Sequence, residues 1–498
     1  MSSQKKTVGT GYDDIGWSES TAPRVLTWCV WTLWLVSIAA MAVYVHPDLN
    51  LEVGLDGVVA IDGLTVVMWS VVTFISGTVH SYSRRYMAGS RRISGFFVRV
   101  FGFTVFVMVL VAADSLVLFA VAWLSMGLVM ADLIGYSRGW KQAREAARKA
   151  RIYFVGGTAF LSVGVAVLWF GTGSTTVSGA MEGIGGVTDP VYLAVVGVLL
   201  VAVAVQSALV PFHGWLLSSM TAPTPASALM HAGFVNAGGI LLVRFSPVFS
   251  ESLSVMTAIV VVGAFGAIFG KLMKSVRPDI KSTLGCSTAG QMGFMVMQAG
   301  LGFFSAAVAH LILHGFYKAY LFMSSSGRVE DTSPEDEEQS SLGVVGALVT
   351  LAVALAGGLL FVFLTGKGAS LDSGLLLTLL VVLTAAHATR DIVRKPLPSV
   401  IRYVAVPVVF LTAVTVYAVV FEAVTAVMEA APVPSVIAAE PTELTVVHVV
   451  VGVAFVAAYV AIEFGYVRRS NRLYVALLNF SQPSSETVLT KKEEYNEY

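Results

Sequence analysis

Apolar runs of about 20 residues recur about fourteen times along this chain, and a hydrocarbon core of about 30 Å takes one such run per helix. They begin near Val25, Val58, Phe96, Asp114, Ile152, Val191, Ala226, Leu253, Ser282, Phe304, Leu342, Leu375, Tyr403 and Leu444. Of 498 residues 56% are hydrophobic and 12% charged, against roughly a quarter charged in soluble domains. Water alone would not keep such a chain folded and monomeric. The expected class is therefore an all-α polytopic membrane protein with the lipid bilayer as its solvent. The run from Val25 to Val45 lies too deep for a signal peptide and reads as a retained helix.

The 31 basic and 31 acidic residues balance, which gives no reason to expect nucleic acid as a partner. Their placement carries more. Basic clusters occur at Arg84, Arg85, Arg91 and Arg92, then at Arg138, Lys141, Arg144, Arg148, Lys149 and Arg151, and then at Lys271, Lys274, Arg277 and Lys281. Two more, Arg390, Arg394, Lys395 and Arg402, then Arg468, Arg469 and Arg472, follow after even numbers of expected spans. By the positive-inside rule all five, and both termini, face the cytoplasm of a cell-membrane protein. The opposite loops carry Asp48, Glu52, Asp56, Glu182, Asp189, Glu429, Glu440 and Glu443. The expected layout is a cytoplasmic tail at 1–24, a membrane core at 25–326, an acidic cytoplasmic linker at 327–341, further membrane helices at 342–467 and a cytoplasmic tail at 468–498. The linker, with Glu330, Asp331 and Glu335 to Glu338, reads as a solvated boundary or as a docking segment for a basic partner. Cys29 and Cys286 sit apart in apolar stretches, so neither a disulfide framework nor a cysteine-bound metal is implied.

An ionisable residue in a membrane span asks for a partner, a cavity or a job. In the stretch 206–228, QSALVPFHGWLLSSMTAPTPASA, Pro211, Pro223 and Pro225 interrupt apolar sequence. Proline removes a helix donor, and the freed carbonyls must find water, side chains or an ion. Gln206, His213, His231 and Asn236 supply polar groups nearby. The competing reading is an ordinary interhelical loop with an interfacial Trp215. Farther on, His310, His314 and Lys318 recur every four residues and share one helix face. Such a stack is fit for a proton relay, since histidine titrates near neutrality and burial lowers the lysine pKa. Satisfied core histidines remain an alternative, and a metal site lacks a third ligand.

Asp114 and Asp132 bracket the run containing Trp123 and read as headgroup-level caps or as pathway residues. Asp62, His80, Lys367, His387, Glu422, His448 and Glu463 are scattered near span ends; Asp62, Glu422, His448 and Glu463 stay open as functional candidates. No P-loop, dinucleotide fingerprint or nucleophile elbow is present, so no catalytic residue is expected. Haem held by His231 and His310 is a distant alternative.

These residues also resemble a family. QSALVPFHGWL, APTPASALMHA and NAGGILLVR in 206–244 are joined by IDGLT from Ile61, the Tyr86-Met87 turn and AADSLV from Ala112. DIKSTLGCSTAGQMGFM from Asp279 and HLILHGFYKAYLFMSSS from His310 follow in order. Together they resemble the proton-conducting antiporter-like subunits, which include the large membrane subunits of respiratory complex I and of Mrp-type sodium/proton antiporters. The resemblance implies inverted repeats with discontinuous helices and a midplane chain of charged and histidine residues. It maps His310, His314 and Lys318 onto the central relay and His231 onto the histidine after the APTP turn. Leu124 replaces the usual glutamate after Trp123, and Gln206 replaces the usual lysine. The two losses together leave no stranded charge. Lys367 alone is placed to stand in for the lysine of a second broken helix.

With these departures, the PFHGWL wording and AREAARKARIYF, the chain is most similar to the DabB family, the membrane subunits of two-component inorganic carbon accumulation systems. That resemblance implies a large DabA-like partner, carbonic-anhydrase-like and zinc-containing, that makes bicarbonate from carbon dioxide. This chain would then carry protons or sodium ions, with no metal or cofactor of its own. The alternative is a cation-translocating subunit of a complex I-like or Mrp-type antiporter, against which Leu124 and Gln206 weigh.

Overall fold

The computed structural model describes residues 21–46, 54–325, 343–394, 398, 400–430, 441–483 and 487. The acidic linker lies outside the described residues, as do residues 1–20 of the first tail and 484–486 and 488–498 of the second. The chain runs through α1 (Thr21–Val45), a small hairpin of β1 (Gly54–Leu55) and β2 (Val59–Ala60), α2 (Gly63–Tyr86), α3 (Ile93–Ala112), α4 (Leu116–Ile134) and α5 (Lys141–Thr172). Then come α6 (Val177–Glu182), α7 (Asp189–Gln206), α8 (Gly214–Ser218), α9 (Thr224–Ala232), α10 (Ala237–Arg244), α11 (Ser246–Ser250), α12 (Leu253–Lys274), α13 (Ile280–Gly300) and α14 (Phe304–Ser325). The remainder forms α15 (Gly343–Thr365), α16 (Gly374–Val393), a π-helical turn at Ile401–Ala405 leading into α17 (Val406–Glu429), α18 (Val446–Glu463), α19 (Tyr466–Arg469) and α20 (Asn471–Phe480).

Twelve spans among the described residues have the length and apolarity to cross a membrane, with α9 and α10 counted as one and the π-helical turn joined to α17. α13 and α14, at 21 and 22 residues, are as long but more polar. Together they give the fourteen traverses the sequence leads one to expect. Counting traverses puts all five basic clusters at one end of the bundle, hereafter the basic face. Contacts agree: Arg468 of α19 donates to Ser275 O, after α12, at 3.4 Å, and Asp132 pairs with Arg99 and Arg151.

One start differs by about three turns. α5 begins at Lys141 rather than near Ile152. The reason is a helical stripe in the basic segment: Ala143, Ala146, Ala147 and Ala150 are buried while Lys141, Arg144, Arg148 and Arg151 point outward. That is the i, i+3, i+4, i+7 pattern of an amphipathic helix.

Burial ranks the helices. The α9–α10 span is 94% buried and α1 only 17%, so the interrupted helix is interior and α1 peripheral. Close packing rather than apolarity must hold such helices together in lipid. α12 and α13 meet through Gly263, Gly266, Gly270, Gly290 and Gly293, and a Cβ at Gly263 would stand 2.7 Å from Gly293 O. Around the interruption, Phe154 packs on Phe234 with ring centroids 4.5 Å apart and on Trp215 at 4.8 Å. Trp215 is fully buried and donates its indole N–H to Val205 O at 2.9 Å. It is a cap on the end of α7, not an interfacial anchor. Beyond Ser325 the described spans run without a second break, consistent with the absence of proline from α15, α16 and α18.

Candidate ion pathway

The interruption lies later than the prolines suggest. Pro223 is the N-cap of α9 and Pro225 sits in its first turn, where a missing N–H removes no helix bond. Pro211, joined to Val210 by a cis peptide, belongs to the connection from α7 to α8. The span breaks instead at Gly233, followed by a 3₁₀ turn over Phe234–Asn236. Carbonyls around the break accept from two of the residues singled out from sequence. The Gln206 amide donates to Phe234 O at 2.9 Å. Asn236 Nδ2 donates to Ala232 O at 2.8 Å and to Leu311 O of α14 at 3.4 Å. Gln206 thus supplies a neutral donor that the broken backbone can use.

His231, two residues before Gly233, is fully buried. Its Nδ1 meets Thr288 Oγ1 of α13 at 3.0 Å, and its ring stacks on Phe322 of α14 at 4.4 Å. α14 then presents His310, His314 and Lys318 to the same interior. The His310 and His314 rings lie 6.0 Å apart and nearly parallel, a gap that one water molecule spans. Lys318 is fully buried and donates to Leu284 O at 2.9 Å. It lies within electrostatic range of both His314 and His231. His231 Nε2, His310 Nε2 and both ring nitrogens of His314 have no hydrogen-bond partner among the described residues. Four protonatable groups therefore converge at the break with unused donor and acceptor positions, which a set of satisfied core histidines would not have.

The other candidates are placed apart from this cluster. His213 Nε2 meets Phe480 O at 3.0 Å, and the two rings lie 4.8 Å apart, so His213 holds α20 rather than the relay. Burial pushes its pKa below the usual histidine value, opposed by the Phe480 carbonyl and aided by Lys149. Asp114 accepts from Ser178 N at 2.9 Å and Ser178 Oγ at 3.1 Å in the loops opposite the basic face. Asp132 is held by Arg99 and Arg151. Lys367 lies in the turn between α15 and α16, its ammonium 5.8 Å from the Phe303 ring centre. His448 accepts from Thr445 N at 2.9 Å and caps its own helix. Glu422 stands exposed on α17.

One residue was not singled out from sequence. Arg244, the last of α10, is buried and ion-paired with Asp62. It also donates to Thr65 Oγ1 at 3.1 Å and to Val111 O. The pair ties the outer half of the broken span to the starts and ends of α2 and α3. Its signal in the sequence was the intramembrane Asp62, which needs a cation.

Comparison with known proteins places this architecture. A family model described as NADH:quinone oxidoreductase/Mrp antiporter, TM, matches residues 113–392, more than half of the chain. The chain belongs to this antiporter family. A second model, described as NADH-ubiquinone oxidoreductase (complex I), chain 5 N-terminus, matches residues 48–97. Among antiporter-family relatives, a probable inorganic carbon transporter subunit DabB1 of Halothiobacillus neapolitanus is 38% identical over 287 residues, 56% of this chain and 51% of the relative. A probable DabB of Bacillus anthracis is 35% identical over 328 residues, 64% of this chain and 62% of the relative. NADH-quinone oxidoreductase subunit L of Mycobacterium tuberculosis is 34% identical over 300 residues, 60% of this chain and 47% of the relative. The chain thus spans about half the length of most curated relatives it matches. These relatives are transporter or redox-complex subunits.

Two solved assemblies share the fold. The Mrp complex from Dietzia sp. DQ12-45-1b matches with TM-score 0.54 and 21% identity, over 95% of this chain and 54% of that one. The membrane-bound sulfane sulfur reductase, an archaeal respiratory membrane complex, matches with TM-score 0.58 and 17% identity, over 94% of each chain. The antiporter-like fold expected from the motifs is therefore present.

Proposed function

We propose that this chain is the membrane subunit of an energy-coupled inorganic carbon (CO2/bicarbonate) uptake complex, and that it conducts protons or sodium ions to drive a carbonic-anhydrase-like partner. The observation that carries this reading is Lys318, a fully buried ammonium with a backbone carbonyl as its hydrogen-bond acceptor, set beside His314 and His231 at a helix break. A buried charge of that kind is costly in a membrane, and it is retained where an ion must pass. His310 extends the line along α14. The DabB-named relatives support the carbon-uptake assignment. On this reading the partner is DabA-like and holds the zinc and the chemistry. The present chain needs no cofactor, and its basic face and termini lie in the cytoplasm of a cell membrane.

The test is carbon-dependent rescue of cells that lack carbonic anhydrase. Lys318→Ala, or His310→Ala with His314→Ala, is expected to abolish rescue while the complex still assembles; full rescue by these variants sinks the relay. A second reading, a complex I-like or Mrp-type antiporter subunit, draws support from the similarity to subunit L. Leu124 and Gln206 oppose it, since both members of that family's first ion pair are replaced. Co-purification separates the two: one large partner supports carbon uptake, whereas several small membrane or redox subunits support the antiporter.

A further inference from the structure

A cavity of about 480 Å³ opens between α12, α13, α14, α16, α17 and α18. His310 forms part of its inner wall, and that residue's Nε2 is buried without a hydrogen-bond partner among the described residues. The other end reaches the basic face, where Lys271 and Lys274 of α12, His387 of α16 and Glu463 of α18 line the wall. Between the two ends, Ser287 and Gln291 lie one turn apart on α13, and Thr384 lies one turn before His387. These are the polar steps in an otherwise largely apolar wall.

The outer end is a connected cluster. His387 Nδ1 pairs with Glu463 Oε1, and its Nε2 faces Asp391 at 3.4 Å. Arg390 holds the second Glu463 oxygen at 3.2 Å. Tyr459 borders Arg390, Lys271 lies within range of Asp391 and Glu463, and Arg394 within range of Glu463. Four cations, Lys271, Lys274, Arg390 and Arg394, thus outnumber the carboxylates Asp391 and Glu463 before His387 takes a proton. A sodium or divalent ion needs oxygens free to coordinate it. Here both Glu463 oxygens are engaged and the surroundings are positive. A proton needs only hydrogen-bonding groups in line, and His387 stands between Asp391 and Glu463 with one ring nitrogen toward each.

We infer that His387 and Glu463 load protons from the basic face into this cavity and pass them toward His310, and that this mouth discriminates against sodium ions. The inference rests on the relay reading above and fixes its ion and its route. The proton enters on Asp391 or His387 Nε2, His387 releases one from Nδ1 to Glu463, and water along Ser287, Gln291 and Thr384 carries it inward.

The experiment uses the full chain with its co-expressed partner in sealed vesicles of known orientation, on a Cys29→Ser/Cys286→Ser background. Thr384→Cys and Gln291→Cys are expected to react with a water-soluble, membrane-impermeant methanethiosulfonate added at the basic face, and labelling of Thr384→Cys should block proton flux. Leu348→Cys, on the exposed side of α15, is the unreactive lipid-facing control. Absence of labelling at both cavity positions means that the cavity holds lipid and overturns the proposal. His387→Gln and Glu463→Gln are each expected to lower proton flux by about tenfold with cavity labelling intact, and exchanging sodium for potassium should leave the parent flux unchanged. Unaltered flux in both variants, or flux that follows sodium, overturns the assignment. Lys318→Ala separates the two levels: if it is inactive while the His387 and Glu463 variants are normal, only the mouth is wrong. If Lys318→Ala conducts normally, the relay itself fails.

Discussion

Breaking the Asp62–Arg244 pair should destabilise the protein more than any single apolar contact around it. The side chains are 11% and 5% exposed, so solvent screens them little. Removing one member of a buried pair typically costs roughly 3–5 kcal/mol, because the other charge is left without compensation. The two members are not equivalent. With Arg244→Ala, Asp62 keeps its cap on α2, accepting from Thr65 N at 2.9 Å and Thr65 Oγ1 at 2.8 Å, so the cost should fall near about 3 kcal/mol. With Asp62→Ala, Arg244 keeps Thr65 Oγ1 and Val111 O as its acceptors among the described residues, and α2 also loses its cap, so the cost should approach about 5 kcal/mol.

The double variant removes both charges and strands neither. Its cost should be smaller than the sum of the singles by roughly 3 kcal/mol, a coupling that a double-mutant cycle reads directly. The assay is equilibrium unfolding of the purified protein in mixed micelles titrated with SDS, followed by circular dichroism and by fluorescence of the nine tryptophans. Additivity within about 0.5 kcal/mol would show that the charges do not sense each other. The account of Arg244 as the tie between α10 and α2 would then be refuted.

Gly315 faces the break, and a Cβ there would stand 2.9 Å from Ala232 O and 3.1 Å from Ile75 Cδ1. Gly315→Ala should therefore push α14 from α9 and cut ion flux several-fold with little change in yield, measured in vesicles beside an assembly gel; normal flux would show that the His231 to His314 spacing does not matter. Gln206→Leu removes the side-chain donor of Phe234 O and leaves it the Ala237 N–H alone, so it should cost about 0.5–1.5 kcal/mol in the same SDS titration, whereas a neutral result would mean that the amide adds nothing to the backbone bond. His213→Ala should free α20 and speed its proteolysis from the basic face. Because burial lowers the folded-state pKa of His213, the stability it contributes is complete above about pH 6.5 and declines as the pH falls through that unfolded value. Protease sensitivity of α20 should rise over the same window in the native chain and stay flat in His213→Ala.

The spans were legible because lipid leaves the backbone few solutions, and a run of apolar residues long enough to cross is its own signal. Even α13 and α14, too polar for a composition rule, could be placed from the runs beginning near Ser282 and Phe304. What failed were readings that need a neighbour. Pro223 and Pro225 look like breakers until their position at the start of α9 is known. Arg244 closes an apolar run and was not singled out, since its meaning depends on Asp62, far away in sequence. Glu463 stands in the sequence as an open candidate without a partner to assign it. As the last residue of a span it is indistinguishable in sequence from a headgroup-level carboxylate, yet its partners His387 and Arg390 come from a helix that ends at the same face, with α17 between the two in the chain. An intramembrane charge therefore announces in sequence that it has a partner, and only the packing of spans tells whether that partner holds the fold together, as Arg244 does for Asp62, or stands at the mouth of a cavity, as His387 does for Glu463. The two give opposite signatures in the proposed experiments: neutralising the first lowers stability, and neutralising the second lowers flux with cavity labelling preserved.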